Sequence, residues 1–207
     1  IDPVRDMETV KLELVLADLA VAERRMERTR SAAKTGDKKQ LAELEVLQKV
    51  VEAFNEGVAV REMNLNEDEL AHLSELDLLS AKPVFYVANV NEGSGAEDPR
   101  AAAMRQAAAG AEVIAVSAKI EAELGEMSPE DAAIFAQELG IKESGLAQVI
   151  RAGYHLLDLI SFLTAGEDEV RAWTVRKGAK APEAAGKIHT DLQRGFIRAE
   201  VVAYDDL

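Results

Sequence analysis

Apolar positions in residues 6–33 recur at alternating four- and three-residue steps, through Val15, Leu19, Ala22, Met26, Thr29 and Ala33. That spacing predicts one long helix with a narrow seam of coiled-coil type. Lys34-Thr35-Gly36-Asp37 breaks the pattern, and Leu41, Leu44, Leu47, Val51 and Phe54 resume a helical stripe. Two such helices around a short Gly-containing turn make an antiparallel hairpin. Asn66, with Glu69 three residues on, forms a capping box that opens a short helix through Leu70 and Leu73.

The period then changes. Pro83-Val84-Phe85-Tyr86-Val87-Ala88 is an apolar run bounded by Lys82-Pro83 and by Asn and Gly. It predicts a fully buried strand of a parallel sheet. Asp98-Pro99 and an Ala-rich stretch predict a helix ending at Gly110, and Glu112-Val113-Ile114-Ala115-Val116 a second buried strand. Ser128-Pro129-Glu130-Asp131 is a strong helix start, with the end near Gly140. Residues 144–160 give another amphipathic helix. Strand–helix–strand–helix order implies a parallel α/β sheet. Beyond Phe162, Val170 to Val175 alternates as a half-exposed strand, Lys177-Gly178 marks a turn, and Pro182 to Ile188 suits a short helix. Phe196 to Val202 alternates as a further strand. These elements predict a small separate α+β module.

Charge sharpens this outline. The 207 residues carry 24 Lys and Arg against 38 Asp and Glu, a net charge of −14, which excludes a blanket nucleic-acid binder. One segment departs from that average: Arg24, Arg25, Arg28, Arg30, Lys34, Lys38 and Lys39 face only Glu27 and Asp37. They fall at the hairpin tip, where they form either a solvated helix end or a contact for RNA. With no cysteine there is no disulfide framework, thiolate metal site or thiol nucleophile, and a reducing cytoplasm fits. No apolar run approaches the roughly 20 residues that span a bilayer, so no membrane partner is expected. His155 reads as structural, His189 as a helix C-terminal cap, and Trp173 as a core or interface anchor of the small module. Asp205-Asp206 has no second cluster with which to build a metal site. Both chain ends read as cuts through a longer protein.

Chemistry concentrates where the two strands of the parallel sheet end. Ligands of such sheets sit outside the carboxyl ends of the strands. The first strand ends in Asn89-Val90-Asn91-Glu92 and the second in Ser117-Ala118-Lys119. Asn and Gly also follow many strands as plain turns. In GTP-binding folds, however, a strand-end Asn-Lys-x-Asp supplies an Asn to the base edge, a Lys stem over the ring, and an Asp to the guanine N1 and N2 hydrogens. A Ser-Ala-Lys at the next strand end adds backbone amides. Here Val90 cannot replace the cationic stem, and Glu92 is one methylene too long for the same bidentate contact. Loss of those hydrogen bonds removes most discrimination against the other purine, so adenine is expected to be accepted, and the residues leave the preferred nucleotide open.

These segments resemble the YchF/Obg-like ATPase family of translation-associated P-loop NTPases. The likeness runs over nearly the whole chain. It takes in Asp2-Pro3, Lys82-Pro83 to Glu92, Gly145-Leu146 to Tyr154, and Phe162-Leu163-Thr164-Ala165-Gly166 to Val175. It continues through Ala185-Gly186-Lys187-Ile188-His189-Thr190-Asp191 and Gly195-Phe196-Ile197-Arg198-Ala199-Glu200. The resemblance implies a parallel-sheet α/β nucleotide-binding portion, 1–5 and 64–160, interrupted by a coiled-coil insertion, 6–63. A TGS-like β-grasp domain, 161–207, would follow, of the kind shared with threonyl-tRNA synthetases and SpoT-type enzymes. It implies hydrolysis of ATP, with GTP tolerated, using Mg²⁺, and association with the ribosome or its RNA. It places the amide of Val90 against adenine, beside Asn89, Asn91, Glu92, Ser117, Ala118 and Lys119. The sequence contains no Gly-x-x-x-x-Gly-Lys-Ser/Thr phosphate loop and no Asp-x-x-Gly switch. The phosphate-binding, catalytic and Mg²⁺-binding residues are therefore expected ahead of Ile1. The alternative is a non-catalytic ribosome or RNA adaptor using the hairpin tip and the small module. Nothing in the sequence fixes the oligomeric state.

Overall fold

The computed structural model describes residues 2–34, 36–166 and 169–206. Ile1 and Leu207, the outer limits of the expected domain spans, lie outside these, as do Thr35 of the hairpin turn and the Asp205 side chain. The chain divides into two compact units, residues 1–145 and 146–207.

The first unit opens with helix α1 (Pro3–Ala33), started by Pro3 in its first turn and by the Asp2 carboxylate, which accepts from the Arg5 N–H at 3.2 Å. Gly36, at φ +82°, turns the chain. Asp37 then caps helix α2 (Lys38–Asn55) through the Lys39 N–H at 2.9 Å. The helices pack antiparallel, with Arg25 and Thr29 of α1 meeting Glu43 of α2 while Leu12 reaches Gly57.

Val15, Ala22, Thr29 and Ala33 of the expected seam are buried, and Leu19 and Met26 pack beside it. On α2, Leu47 and Phe54 of the expected stripe are buried, joined by Glu43, Val46 and Val50, while Leu41 is exposed and Leu44 and Val51 are half-buried. One member of the buried stripe is polar. The Glu43 carboxylate occupies the seam and accepts from Arg25 Nε at 2.6 Å and from the Thr29 hydroxyl at 3.3 Å.

Helix α3 (Glu67–Leu73) begins with the expected reciprocal cap: Asn66 Oδ1 accepts from the Glu69 N–H at 2.9 Å, and Glu69 Oε2 from the Asn66 N–H at 2.8 Å. A 3₁₀ turn at Leu79–Ala81 lies against α1 and leads into strand β1 (Tyr86–Asn89). Helix α4 (Pro99–Ala107) connects β1 to strand β2 (Val113–Val116), which pairs with it in parallel register from Tyr86↔Val113 to Asn89↔Val116. Asp98 caps α4 and is also held by the Arg100 guanidinium, whose hydrogen bonds lower its carboxyl to about 2. A second core of Ala88, Val90, Ala101, Met104, Ala108 and Val113 forms here, joined by Met7 of α1. One unbroken helix thus runs from this core to the hairpin tip.

β1 differs from its expected span. Pro83 has no N–H to give a ladder, and the first bond is the Tyr86 N–H to the Glu112 carbonyl at 2.9 Å. The strand is not fully buried either. α4 covers Ala88, but Val87 on the opposite face is 48% exposed, because the described sheet is two-stranded and single-layered. Helices α5 (Ala118–Glu126) and α6 (Pro129–Glu138) complete the unit, α6 starting at Ser128 as expected.

Helix α7 (Gly145–Leu156) starts on the last residue of the first unit, continues in the second, and stops before the expected 160. Asp158, at φ +50°, turns the chain directly into strand β3 (Leu159–Ala165), antiparallel to β4 (Val170–Arg176) with Phe162 opposite Trp173. Gly178, at φ +84°, makes the expected turn into α8 (Ala181–Ile188), and α9 (Thr190–Arg194) follows. Phe196 to Val202 does not form the expected strand. Its alternation is present, but no partner edge is paired with it, and Ile197 and Val201 stand exposed. Among the described residues no helix is long and apolar enough to cross a membrane.

Candidate functional site

Parallel pairing sends both strands out of the sheet at one edge, so Asn89-Val90-Asn91-Glu92 and Ser117-Ala118-Lys119 emerge side by side. The Asn89 side chain joins them, its Oδ1 accepting from the Ala118 N–H at 3.1 Å. That bond fixes the amide, leaving the Asn89 Nδ2 group as the donor available to a ligand. Asn89, Val90, Asn91, Glu92, Ser117 and Lys119 line an open cleft of about 360 Å³, within the usual range for small-ligand sites.

Each remaining residue has a distinct part. The Val90 side chain is buried in the second core, and its N–H donates to the Val116 carbonyl at 2.9 Å. The amide expected to face a base is therefore occupied by the ladder. The Asn91 carbonyl accepts from the Ser94 N–H at 3.2 Å, holding the loop in a turn ahead of Gly95. Ser117 stands at the head of α5, its carbonyl accepting from the Glu121 N–H at 3.0 Å. Lys119, in the first turn of α5, pairs with Glu92 across the cleft and stands 3.8 Å from Glu123. The bond to Glu92, more than the charge of Glu123, raises the ammonium above the ordinary lysine range.

Two supporting residues were not legible in the motifs. Glu121 Oε1 accepts from the Gly145 N–H at 2.7 Å, fixing α5 against the chain that returns beside β2. Gly145 itself lies so close to Val116 that a Cβ there would sit 2.4 Å from Val116 Cγ1 and 2.9 Å from Cγ2. The sequence shows a glycine ahead of an apolar run; only the fold shows what it accommodates.

The hairpin tip presents Arg24, Arg28, Arg30, Lys34, Lys38 and Lys39 as exposed cations. Arg25 differs, being bound to Glu43 and, at 3.2 Å, to Glu75; the Glu43 bond is the main cause of its raised pKa. At 1.5 Å per residue, Lys34 lies about 40 Å along α1 from Met7, which packs in the second core.

In the second unit, His155 is exposed. His189 ends α8, but its side chain caps the next helix, Nδ1 accepting from the Asp191 N–H at 3.2 Å. Trp173 donates to Thr164 Oγ1 at 2.9 Å and carries the Arg171 guanidinium over its ring, 4.4 Å from the centroid. Among the described residues no three His, Asp or Glu side chains converge on a point that would hold a metal ion.

Residues 159–207 match the YchF-GTPase_C family, described as "Protein of unknown function (DUF933)". The whole chain aligns at 50% identity with the ribosome-binding ATPase YchF of Bacillus subtilis, covering 58% of that protein. It aligns at 45% with the protein of the same name from Escherichia coli O157:H7, covering 57%. The structure of the Schizosaccharomyces pombe YchF GTPase superposes with a TM-score of 0.81 at 32% identity, over 95% of this chain and 55% of that one. The chain thus spans a little over half the length of the relatives it matches.

Proposed function

This chain belongs with the YchF family along its whole length, and on that premise we propose that the cleft at the two strand ends holds the base of a nucleoside triphosphate. The single observation that carries the reading is the Asn89–Ala118 hydrogen bond, which makes one surface of two separate motifs. From it the Asn89 Nδ2 group donates to purine N7, an acceptor common to both bases. The Val90 carbonyl, its N–H being taken, suits the exocyclic amine of adenine; guanine has a carbonyl at that position. ATP is therefore the preferred nucleotide, with GTP tolerated.

The full-length protein is, in this reading, a P-loop ATPase whose phosphate-binding and catalytic groups lie outside residues 1–207. The described residues do not fit Mg²⁺, since Glu92 is committed to Lys119 and no other donor set among them converges, so no step is routed through the ion here. Residues 6–63 serve as a coiled-coil insertion in the nucleotide-binding domain, and 161–207 as a TGS-like module. The test is equilibrium binding of ATP to the full-length protein. Asn89→Ala, which removes both the base donor and the brace to α5, weakens binding about tenfold or more; unchanged affinity would refute the site.

The second part of the proposal is ribosomal, and the exposed tip cations favour it. Displacement of counterions from RNA makes such binding steeply salt-dependent. Neutralising Arg28, Lys34, Lys38 and Lys39 together reduces ribosome co-sedimentation of the full-length protein and flattens its salt dependence. Association unaltered at every salt concentration would remove the tip from the interface. Loss with the tip variant combined with insensitivity to nucleotide would favour the adaptor reading. A ribosomal partner implies the cytoplasm.

A further inference from the structure

We propose that Lys119 sets purine selectivity by holding the Glu92 carboxylate away from the base. The inference rests on the base-site reading above and adds to it a positioning residue whose effect falls on the choice between adenine and guanine.

Glu92 stands where the guanine-reading pattern carries its carboxylate. A free carboxylate there accepts from the N1–H and N2–H groups of guanine, and meets in adenine a ring nitrogen that is itself an acceptor. Left unpaired, it would draw guanine in and repel adenine. It is not unpaired: the Lys119 ammonium donates to Glu92 Oε1 across the cleft that both side chains line. Glu123, one turn along α5, flanks the same ammonium at 3.8 Å and keeps it on that side. The extra methylene of Glu over Asp gives the carboxylate the reach for this contact. Its length matters less as a misfit to guanine than as a span to lysine.

The pair is open to water, Lys119 at 70% and Glu92 at 52% side-chain exposure, so its influence is moderate. Guanine competes with an ammonium for one carboxylate, while adenine has no use for that carboxylate and binds with the pair intact. Selectivity by occupying an unwanted acceptor is discrimination against the competitor, with no added contact to the favoured base.

The experiment measures ATP and GTP affinities of the full-length protein by equilibrium titration, for the native sequence, Lys119→Met, Lys119→Arg and the double variant Lys119→Met/Glu92→Gln. Lys119→Met shifts the ratio of affinities toward GTP by about fivefold. Lys119→Arg, which keeps the pair, leaves the ratio in place. Adding Glu92→Gln to Lys119→Met returns it toward the native value, since the freed charge is gone. An unchanged ratio in Lys119→Met with ATP binding intact, or an equal weakening of both nucleotides, overturns the proposal and leaves the base site standing. Full retention of both affinities in Asn89→Ala would instead remove the site itself.

Discussion

Asp18→Ala lowers the unfolding free energy by about 2–4 kcal/mol, a large loss for a single polar substitution. Asp18 is an acidic residue in the middle of a helix, 2% exposed, and both of its oxygens accept hydrogen bonds. Oδ1 accepts from the Leu79 N–H at 2.9 Å and Oδ2 from the Ser80 N–H at 2.6 Å, the first amides of the 3₁₀ turn at Leu79–Ala81. This is helix capping delivered by a side chain about 60 residues away. Ser80, 0% exposed, extends the network: its hydroxyl accepts from the Val60 N–H at 3.3 Å and its carbonyl from Arg61 at 3.1 Å. Alanine leaves the buried Ser80 N–H and the part-buried Leu79 N–H without their acceptor, and an unsatisfied buried group costs on the order of 1–3 kcal/mol. Asp18→Asn keeps one acceptor and falls between. Urea denaturation of the full-length protein, with hydrogen exchange at Leu79 and Ser80, measures both effects. A midpoint within error of the native protein would show that water replaces the carboxylate.

Gly145→Ala costs about 1–3 kcal/mol, the range for overpacking a site that cannot easily yield. The added methyl meets Val116 Cγ1 at 2.4 Å, and a β-branched side chain on a paired strand has little rotamer freedom with which to retreat. Val116 is the last residue of β2, opposite Asn89 and one step before Ser117. The strain therefore falls next to Ser117, which lines the cleft, and nucleotide affinity drops together with stability. Val116→Ala added to Gly145→Ala restores part of both, a coupling that a double-mutant cycle reads directly. Strictly additive effects of the two substitutions would contradict the close approach.

The elements most visible in the sequence were those specified by neighbours along the chain. Asn66 with Glu69, Asp98 with Pro99, and Ser128 with Pro129 each start a helix by local hydrogen bonding, and each helix begins there. The two strand-end motifs were legible for a related reason: parallel strands in succession must end on one side of the sheet. What escaped was set by distant partners. Asp18 and Glu43 look like ordinary surface acids until the 3₁₀ turn and the Arg25 and Thr29 side chains come to meet them. Leu159 to Ala165 prolongs the apolar run of α7, so periodicity alone could not show that Asp158 turns the chain into β3. Phe196 to Val202 has a strand's alternation, yet a strand is a pairing, and no pairing is made there. The Val90 amide went to the ladder, an allocation decided by the register of Asn89 against Val116.

The central claim, that two neighbouring strand ends grip one nucleobase, is met most directly by a crystal structure of the full-length protein with a non-hydrolysable ATP analogue. The expected result is adenine seated between residues 89–92 and 117–119, its N7 within hydrogen-bond distance of Asn89 Nδ2 and its amine facing the Val90 carbonyl. Adenine bound elsewhere, with the Asn89–Ala118 bond and the cleft beside it empty, would contradict the account.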